Sequence, residues 1–422
     1  MEKTKEEKEN KAGDLQQLRV ACIGAGNRMK TYAKYLASHP EEVQVVAIVD
    51  PDPIRCCQLA EQFSVTSVAQ FNSYNDFFQS GIDADVAIVC TPDNEHFRPT
   101  MSAIKLGMNV LLEKPIAQNI EECILLQQEA RRQNVKVGIC YPMHYHPCYL
   151  KLKQIADSKE LGDLVSITLL NQVGTDRATH SYVRGIFNNS NSSTPLLLAK
   201  CSHDVDFLLW ISGSECRQVS NYGSLQYFRE DNAPKGSAER CIDCSVEEKC
   251  PFSAVNLYWR RREWIRNFNV ENGQTIEDSI QRQLKEGPFG RCVFHCDNNI
   301  LDHQALIMQM ANGITLTLTI DCFTLKDNRK FFIHMTHGDI YCNEEKIVIQ
   351  KFLTREKEVL DLSSLVDMPE HAGSDLLIVQ EFFKALRGEE HSFTSFLDES
   401  IESHRVCWEA EENRLKNHSL SE

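Results

Sequence analysis

A glycine-containing turn near the start of the sequence has the residue types and spacing that bind a dinucleotide. G-A-G-N-R-M at 24–29 follows an apolar run and opens a helical pattern. Gly24 allows the tight turn, and Gly26 lets the backbone come close to a pyrophosphate at the helix N-terminus. The third position of this fingerprint, normally Gly or Ala, is Met29. A strand-to-helix turn without a ligand is therefore the alternative interpretation.

Asp50 ends the following apolar run, where the fingerprint places an acidic residue. A carboxylate there accepts hydrogen bonds from the adenosine ribose hydroxyls and repels a 2′-phosphate. The sequence therefore favours NAD over NADP as the cofactor. Arg28 and Arg55 leave NADP open as the alternative, because either guanidinium is suited to a 2′-phosphate. Asp50 could also be only a turn residue before Pro51.

Two further polar segments come directly after apolar runs. T-P-D-N-E-H occupies 91–96, and E-K-P occupies 113–115. Both lie at predicted carboxyl ends of parallel strands, the edge where open α/β sheets bind ligands. The candidate cofactor-binding residues of this part of the chain are Gly24, Gly26, Asn27, Arg28, Asp50, Thr91, Pro92, His96, Glu113 and Lys114.

The elements that position these segments follow from hydrophobic periodicity. Between Leu18 and Pro142, short Val/Ile/Leu runs alternate with helical patterns, as in a parallel sheet that is buried on both faces. Asn119, with Glu122 three residues later, predicts the start of a helix that ends near Gln133. This part of the chain predicts a doubly wound Rossmann domain. The strand candidates are L-R-V-A-C-I-G, V-Q-V-V-A-I-V-D, A-D-V-A-I-V-C-T-P, N-V-L-L-E-K-P and K-V-G-I-C-Y-P.

The pattern changes after Tyr141, where strands become longer and are less strictly paired with helices. Asn312-Gly313 predicts a type I′ hairpin turn, and a second hairpin is predicted at 337–339. We therefore expect a C-terminal α+β domain built on a large, mainly antiparallel sheet. Its helices are predicted at 147–158, 195–211, 375–387 and 396–415. The predicted divisions are a disordered tail at 1–17, a Rossmann domain at 18–142, and a substrate and oligomerisation domain at 143–422 with a Cys-rich insert near 237–262.

Taken together, the G-A-G turn, Asp50, T-P-x-x-x-H and E-K-P resemble the Gfo/Idh/MocA family, which includes glucose–fructose oxidoreductase and inositol dehydrogenase. The resemblance covers nearly the whole chain after residue 18. It implies an NAD(P)-dependent dehydrogenase in which Lys114 lies beside the nicotinamide and the reacting hydroxyl. An ammonium there orients the substrate oxygen and stabilises developing alkoxide character. A salt-bridged, purely structural lysine is the alternative.

A second family motif, D-x-x-x-H-x-x-D, matches the segment L-L-L-A-K-C-S-H-D-V-D-F-L-L-W in part. His203 matches the histidine and Asp206 the later aspartate, but Ala199 replaces the first aspartate. We expect His203 to be the general base that removes the hydroxyl proton. Lys200 or Asp204 could replace part of the missing aspartate, although a lysine cannot supply its negative charge. A structural histidine is the alternative.

Other polar residues fit a role in binding hydroxyls or a carboxylate. H-S-Y-V-R-G at 180–185 and Y-P-M-H-Y-H-P at 141–147 contain side chains of this kind. Loop packing would explain the second segment equally well. We expect Lys114 and His203 to converge on one hydroxyl across an inter-domain cleft. The predicted substrate residues are Tyr141, His180, Arg184, Asp204 and Asp206.

The cysteines of the insert form a separate group. C-I-D-C at 241–244 is followed by Cys250, and C-x-x-x-C occupies 292–296. Two-residue spacing lets two thiolates face one tetrahedral ion, so one alternative is a structural zinc site, for which His295 is a further ligand candidate. Free buried thiols and a disulfide are the other two alternatives. The candidate ligands, which are expected to lie apart from the nicotinamide, are Cys241, Cys244, Cys250, Cys292 and Cys296.

Composition restricts the partners. Lys and Arg number 45 against 60 Asp and Glu, a net charge of −15 that disfavours nucleic acid and anionic membrane surfaces. No run of about 18 apolar residues predicts a membrane-spanning helix. The charged start lacks the apolar stretch of a signal peptide, so we expect a cytoplasmic protein whose cysteines are mostly reduced. The family resemblance implies a small-molecule carbohydrate substrate and a homo-oligomer formed through the C-terminal sheet.

Three functions are compatible with these motifs. The preferred one is NAD-dependent oxidation or reduction of a secondary hydroxyl of a sugar, glycoside or cyclitol by hydride transfer. The second is a redox-neutral, NAD-retaining glycosidase or lyase of the same family, in which a transient carbonyl acidifies the neighbouring C–H. The third, a non-enzymatic dinucleotide-binding regulator, is disfavoured because Lys114 is present.

Overall fold

The computed structural model describes residues 17–63, 68–268, 270, 273–366 and 372–419. The chain divides into two compact units. The first comprises the residues up to Ile116 together with 121–140 and 373–399, and the second comprises 117–120, 141–372 and the residues from 400 onward. The predicted tail at 1–17 lies outside the described residues except for Gln17.

A six-stranded sheet organises the first unit. Its strands are β1 (Leu18–Ile23), β2 (Val43–Val49), β3 (Ala69–Phe71), β4 (Val86–Val89), β5 (Asn109–Leu112) and β6 (Val137–Ile139). The order is β3-β2-β1-β4-β5-β6 with every pair parallel, which confirms the predicted Rossmann sheet. The apolar pattern does not predict β3, because three partly exposed residues carry too little periodicity.

Helices follow the first five of these strands. Helix Asn27–Ser38 buries Met29, Tyr32 and Leu36 on one face, as the apolar spacing predicts. Helix Ile120–Gln133 ends at the predicted residue, and its acidic first turn and basic last turn complement the helix dipole. The other helices of this unit are Pro53–Ala60, Tyr74–Gln79, Phe97–Lys105 and Ser374–Arg387.

The helix Ser374–Arg387 belongs to the first unit, although its sequence lies within the predicted C-terminal domain. It packs against helix Asn27–Ser38, where the rings of Tyr35 and Phe383 stack with their centroids 6.1 Å apart. A boundary at residue 142 therefore separates the two sheets, but it leaves this helix on the C-terminal side although the helix belongs to the first unit. Local patterns predict that the helix exists, whereas the surface it packs against depends on residues far away in the sequence.

An eight-stranded sheet organises the second unit. Its strands are β7 (Leu164–Gln172), β8 (Cys216–Ser224), β9 (His303–Met310), β10 (Thr315–Asp321), β11 (Asn328–Met335), β12 (Gly338–Cys342), β13 (Lys346–Lys351) and β14 (Lys357–Asp361). The order is β14-β13-β12-β11-β7-β10-β9-β8, and only the β7–β10 pair is parallel. This confirms the expected α+β domain with a large, mainly antiparallel sheet.

The turn between β9 and β10 lies at the predicted Asn312-Gly313, but its type differs from the prediction. A type I′ turn needs positive φ at both central residues, and of the two only Gly313 has one, at 88°. The amide of Gly313 donates to the Met310 carbonyl oxygen at 3.1 Å, so the loop has three residues and Gly313 forms the bulge. The hairpin is confirmed and the turn type is wrong. The second predicted hairpin joins β11 to β12.

The helix Leu196–Ser212 lies in the main core of the second unit. It buries Lys200, Asp204 and Asp206 along with its apolar residues. Buried charges need partners, so charged side chains of neighbouring elements surround this helix. In the described part of the unit, the other α-helices are Pro147–Ser158, Thr175–Arg177, Ile276–Lys285, Ser363–Val366 and most of Leu397–Ser419. Among the described residues, we find no helix with the length and apolarity needed to cross a lipid bilayer.

The Cys-rich insert and the residues that follow it consist mostly of short turns. Single 3₁₀ turns occur at Cys241–Asp243 and Glu247–Lys249, and a π-helical turn spans Val255–Arg260. This region has a small hydrophobic cluster of its own, separate from the main core. Its buried members are Cys241, Ala254, Leu257, Tyr258, Phe268, Ile280 and Leu284.

Candidate active site

The glycine turn leaves the space in front of a helix open. Gly24 has a φ of 88°, and a Cβ atom there would lie 2.6 Å from the Cys90 carbonyl oxygen, so only glycine fits. Gly26 caps helix Asn27–Ser38, and a Cβ at this residue would meet no atom within 4 Å. The first turn of the helix has no acidic residue to oppose its positive end. This arrangement fits a pyrophosphate, and the exposed Asn27 lies beside it.

Asp50 is held against the glycine turn. The Ala25 amide donates to its Oδ2 at 2.8 Å, and the Asp52 amide donates to its Oδ1 at 2.9 Å. Each carboxylate oxygen keeps a further lone pair, so Asp50 can still accept hydrogen bonds from the hydroxyls of a ribose. The residues of this turn therefore fit the dinucleotide that the sequence predicts.

Arg28 is bound to carboxylates of its own unit. Its Nε donates to Oε1 of Glu113 at 2.6 Å. Its Nη1 and Nη2 donate to the two oxygens of Asp375 at 3.1 and 2.8 Å, and Nη2 also donates to the Tyr32 hydroxyl at 2.6 Å. Four of the five N–H donors are therefore engaged. This argues against direct cofactor binding by Arg28 and against the alternative in which it binds a 2′-phosphate.

His96 is fully buried between two segments that follow strands. Its Nδ1 lies 2.5 Å from the Pro115 carbonyl oxygen, and its Nε2 lies 2.9 Å from that of Thr91. The Thr91 hydroxyl donates to the carbonyl oxygen of Glu95 at 3.0 Å. His96 thus connects the T-P-D-N-E-H segment to the E-K-P segment and positions both. Pro92, in contrast, is exposed.

Glu113 and Lys114 follow β5 directly. The Tyr32 hydroxyl donates to Oε1 of Glu113 at 2.5 Å, and the Lys114 amide donates to Oε2 at 3.1 Å. Burial raises the pKa of Glu113, but the charges of Arg28 and Lys114 and the Tyr32 hydrogen bond outweigh burial and lower it. The ionised carboxylate therefore holds the segment that carries Lys114, whose side chain is partly exposed.

In the second unit, His203 belongs to a charged cluster on helix Leu196–Ser212. Nη2 of Arg329 donates to Nε2 of His203 at 2.9 Å. A guanidinium only donates, so Nε2 is the acceptor and its lone pair is engaged. Arg329 also forms an ion pair with Asp204, which accepts a further hydrogen bond from Asn171 at 2.9 Å. Asp204 therefore positions His203 through Arg329.

Lys200 lies on the same helix and is 3% exposed. Its Nζ is 3.5 Å from one oxygen of Asp327, and Nη1 of Arg177 is 2.5 Å from the other. Burial, with the positive charges of Arg177 and Arg329, lowers the pKa of Lys200 to about 8, although Asp327 opposes this. The family motif has an aspartate at the position of Ala199. In this chain Asp327, which lies next to Lys200, supplies a negative charge there instead. An amine of this kind can exchange a proton near neutral pH.

Asp206 and Tyr141 are buried and have partners within the second unit. Nε2 of His144 lies 2.6 Å from Oδ2 of Asp206, and the His144 ring stacks on Trp210 with a centroid distance of 4.2 Å. The Tyr141 hydroxyl lies 2.9 Å from Oγ of Ser403. Burial raises the pKa of Tyr141 well above its ordinary value. These contacts agree with loop packing, the alternative for this segment, and the substrate roles stay predictions.

These strands, turns and polar residues are those of a known family. Residues 18–141 match the family model described as "Oxidoreductase family, NAD-binding Rossmann fold". The Rossmann domain of this chain, residues 18–141, thus belongs to the Gfo/Idh/MocA oxidoreductases. The predicted family, fold class and enzyme class, an NAD(P)-dependent dehydrogenase, are therefore confirmed.

Relatives of this chain include the putative oxidoreductase YteT of Bacillus subtilis, which is 21% identical over 81% of this chain and 82% of YteT. The scyllo-inositol 2-dehydrogenase (NAD(+)) of Bacillus subtilis is 24% identical over 50% of this chain and 58% of that enzyme. The match to this second relative thus spans little more than half of its length. Among solved structures, levoglucosan dehydrogenase in complex with NADH and levoglucosan matches with a TM-score of 0.67 at 14% identity, covering 95% of this chain and 98% of the other. At this identity the structural match shows the fold alone.

His180 and Arg184 of this oxidoreductase lie in its Cys-rich region, which does not fit their predicted substrate role. The His180 ring stacks on Phe289 with a centroid distance of 4.5 Å. Burial and the nearby Arg184 lower the pKa of His180 to about 4. Arg184 is 1% exposed, and its Nη2 donates to the Phe252 carbonyl oxygen at 2.6 Å. Both side chains lie on the π-helical turn Ala178–Arg184 and contribute to packing.

The five candidate metal ligands of the oxidoreductase are free thiols in one region. Among the described residues, no three His, Cys, Asp or Glu side chains already form a set that could hold a metal ion. Four of the cysteines nevertheless line one cavity of about 10 Å³, and Cys296 does not. The four are Cys241, Cys244, Cys250 and Cys292.

Sequence reasoning misses four charged residues of these clusters, Asp375, Arg329, Asp327 and Arg177. None of them belongs to a motif. Their only signal is indirect: Arg28 near the glycine turn, and Lys200 and Asp204 in a mostly apolar helix, each need an opposite charge from another element. The sequence of the helix indicates that need, but it does not say which residue meets it.

Proposed function

We propose that this oxidoreductase oxidises or reduces a secondary hydroxyl of a sugar, glycoside or cyclitol with NAD. The observation that carries the proposal is the open helix start at Gly26, with the Asp50 carboxylate fixed beside it. The carbohydrate class is supported by relatives and similar structures named for inositol and levoglucosan. NAD, when bound, supplies a hydride acceptor for the carbon that bears the hydroxyl.

NAD is proposed over NADP because of the charges around the glycine turn. The Asp50 carboxylate disfavours a 2′-phosphate, and the guanidinium of Arg28 is engaged by Glu113 and Asp375. Asp50→Asn removes the charge and keeps one acceptor oxygen, so NAD should bind more weakly and the preference over NADP should narrow. Calorimetric dissociation constants for both dinucleotides test this. An unchanged preference in Asp50→Asn would contradict the assignment.

Lys114 and His203 are proposed to act on the same hydroxyl. The ammonium of Lys114 orients the substrate oxygen and stabilises its developing negative charge. His203 accepts the proton at Nε2 after Arg329 moves away from it, because Arg329 now occupies that lone pair. Lys200 is the second candidate for the base, since its amine is buried and its pKa is lowered to about 8.

The first test is a turnover assay with purified protein. Inositol isomers, free sugars and aryl glycosides are incubated with NAD, and NADH is followed by absorbance while substrate loss is followed by chromatography. The proposal predicts one NADH for each substrate consumed. Loss of a glycosidic group without net NADH would favour the redox-neutral reaction instead. No turnover of any carbohydrate would contradict the proposed function.

The open face of the eight-stranded sheet is proposed to join two copies of the chain. One face packs on the main core, while Ile307 and Phe332 on the other are 49% and 42% exposed. Contiguous apolar surface patches mark interfaces, and these two side chains are the reason for placing the proposed interface on this sheet face. Phe332→Asp should therefore convert a native dimer or larger oligomer to monomer in native mass spectrometry. Phe352→Asp, which changes an exposed phenylalanine outside the strands, should leave the subunit number unchanged.

A further inference from the structure

Four cysteines of the second unit surround one small cavity. Cys241, Cys244, Cys250 and Cys292 line a cavity of about 10 Å³. This volume is about that of one water-sized sphere, so the space suits a single ion. Cysteine is the preferred ligand of structural zinc, and four thiolates complete its tetrahedral coordination.

Local backbone structure brings these residues together from two distant segments. The 3₁₀ turn Cys241–Asp243 places Cys244 after Cys241, with its amide 3.4 Å from the Cys241 carbonyl oxygen. An isolated antiparallel bridge pairs Arg240 with Arg291, the residues just before Cys241 and Cys292. The Cys292 amide also donates to the Glu239 carbonyl oxygen at 2.8 Å. The two segments are thus in register where their cysteines meet.

Arg184 adds an independent observation, a buried positive charge beside this cavity. Its Nη2 donates to Sγ of Cys241 at 3.8 Å, and its other acceptors are the carbonyl oxygens of Arg291 and Phe252. Within the described residues no carboxylate pairs with Arg184, and its buried Nη1 has no hydrogen-bond acceptor. A guanidinium stays charged when buried and needs an anion nearby. Thiolates in the cavity would supply that negative charge.

Neighbouring ligand candidates are already engaged elsewhere. The Cys296 thiol donates to the Cys292 carbonyl oxygen at 3.2 Å, and Nε2 of His295 lies 3.1 Å from Oγ of Ser237. Glu247 also lines the cavity, but both of its oxygens accept from Arg260, at 2.9 and 2.7 Å. The four cavity cysteines are therefore the consistent ligand set.

We propose that Cys241, Cys244, Cys250 and Cys292 bind one structural zinc ion, with Arg184 as the buried counter-charge. Each thiol releases its proton to solvent and forms one Zn–S bond, so no oxidant or reductant is needed. Zn²⁺ with four thiolates carries a net charge of 2−, which Arg184 offsets in part. The side chains must turn toward the cavity, because no three of them form a ligand set as they stand. The ion would stabilise a region of short turns. Its binding does not depend on the proposed dehydrogenase chemistry.

Elemental analysis of the full-length protein, purified without chelator, tests the proposal. Wild type should contain one zinc per chain, and Cys244→Ser should lose nearly all of it. Cys296→Ser is the matched control, because it removes a nearby thiol that lies outside the cavity, and it should keep its zinc. Iron or no metal in wild type overturns the proposal, and so does equal zinc content in the two variants. A mass lower by two hydrogens, showing a disulfide among the four cysteines, also overturns it.

Two further measurements do not depend on whether the cysteine variants fold. Wild type exchanged with Co²⁺ should show the strong visible absorption of tetrahedral thiolate coordination, and its absence would overturn the four-thiolate site. Arg184→Gln keeps every cysteine but removes the counter-charge. Competition with a chromophoric chelator should then show zinc affinity lowered by about 10- to 100-fold. Unchanged affinity would overturn the assigned role of Arg184.

Discussion

Arg28 and Asp375 form a two-point ion pair although 347 residues separate them in the sequence. Arg28 directly follows the glycine turn, and Asp375 lies in the first turn of helix Ser374–Arg387, where a carboxylate also complements the helix dipole. Through Arg28 the pair extends to Glu113, next to Lys114. A helix from the last part of the chain thus helps to hold the two segments expected to contact the cofactor.

Asp375→Asn should destabilise the first unit. The Arg28 guanidinium would keep its charge but lose its bidentate partner, and an amide nitrogen would face its donors. Breaking a fully buried pair costs about 3–5 kcal/mol; Arg28 is partly exposed, so we expect about 2 kcal/mol in denaturant unfolding. Asp163→Asn, which removes a surface partner of Lys159, is the control and should have no measurable effect. Equal effects of the two variants would contradict the assigned role of the pair.

Gly24→Ala and Gly26→Ala should separate folding from cofactor binding. Gly24 has a positive φ, and a methyl there would meet the Cys90 backbone. The free energy of unfolding of Gly24→Ala should therefore fall by at least about 2 kcal/mol. A methyl at Gly26 meets open space, so stability should change by less than about 1 kcal/mol. It would, however, occupy the place of the pyrophosphate, and the NAD dissociation constant should rise about tenfold, or about 1.4 kcal/mol. Wild-type NAD affinity in Gly26→Ala would contradict the assigned site.

Lys114→Ala should remove turnover while the fold and NAD binding persist. The loss of one cation that stabilises a developing oxyanion should lower kcat by about 100- to 1,000-fold. Lys105→Ala is the matched control, because Lys105 is an exposed lysine at the end of helix Phe97–Lys105. The two variants are compared by steady-state kinetics, with the substrate identified in the turnover assay, and by titration with NAD. Full activity in Lys114→Ala would contradict the mechanism.

Lys200 should make stability depend on pH in the alkaline range. The pKa of Lys200 is lowered to about 8 in the folded protein, below the value of 10.5 for a free lysine. Between about pH 8 and 10.5 the unfolded chain therefore binds more protons, so this contribution to stability rises with pH. In this window the free energy of unfolding of the wild type should rise, relative to that of Lys200→Met, by up to about 1.4 kcal/mol per pH unit. Urea unfolding at several pH values measures the difference, and Lys159→Met controls for the loss of one lysine. If the free energy of unfolding of wild type minus that of Lys200→Met stayed constant or fell with pH, burial would not lower the pKa of Lys200 as assigned.

The sequence by itself determined five of the six Rossmann strands, several helices and the change to a second, mainly antiparallel domain. Continuous Val/Ile/Leu runs predicted β1, β2, β4, β5 and β6, because strands buried on both faces must be apolar at every position. Periodicity and turn residues likewise predicted helix Ile120–Gln133 and the hairpin at Asn312-Gly313. The turn type was missed, because Asn-Gly fits both a two-residue turn and a three-residue loop, and the pairing of β9 with β10 decides between them.

Side-chain partners were decided only by the tertiary structure. Arg28 and Arg184 each occur in a motif that suggests an anion or a hydroxyl ligand, yet Arg28 pairs with Asp375 and Arg184 lies beside Cys241. Local sequence reports the backbone conformation and the face of an element, since these depend on near neighbours. A charge on that face is balanced by a residue from any part of the chain that folding brings within hydrogen-bonding distance, and no local pattern records which one.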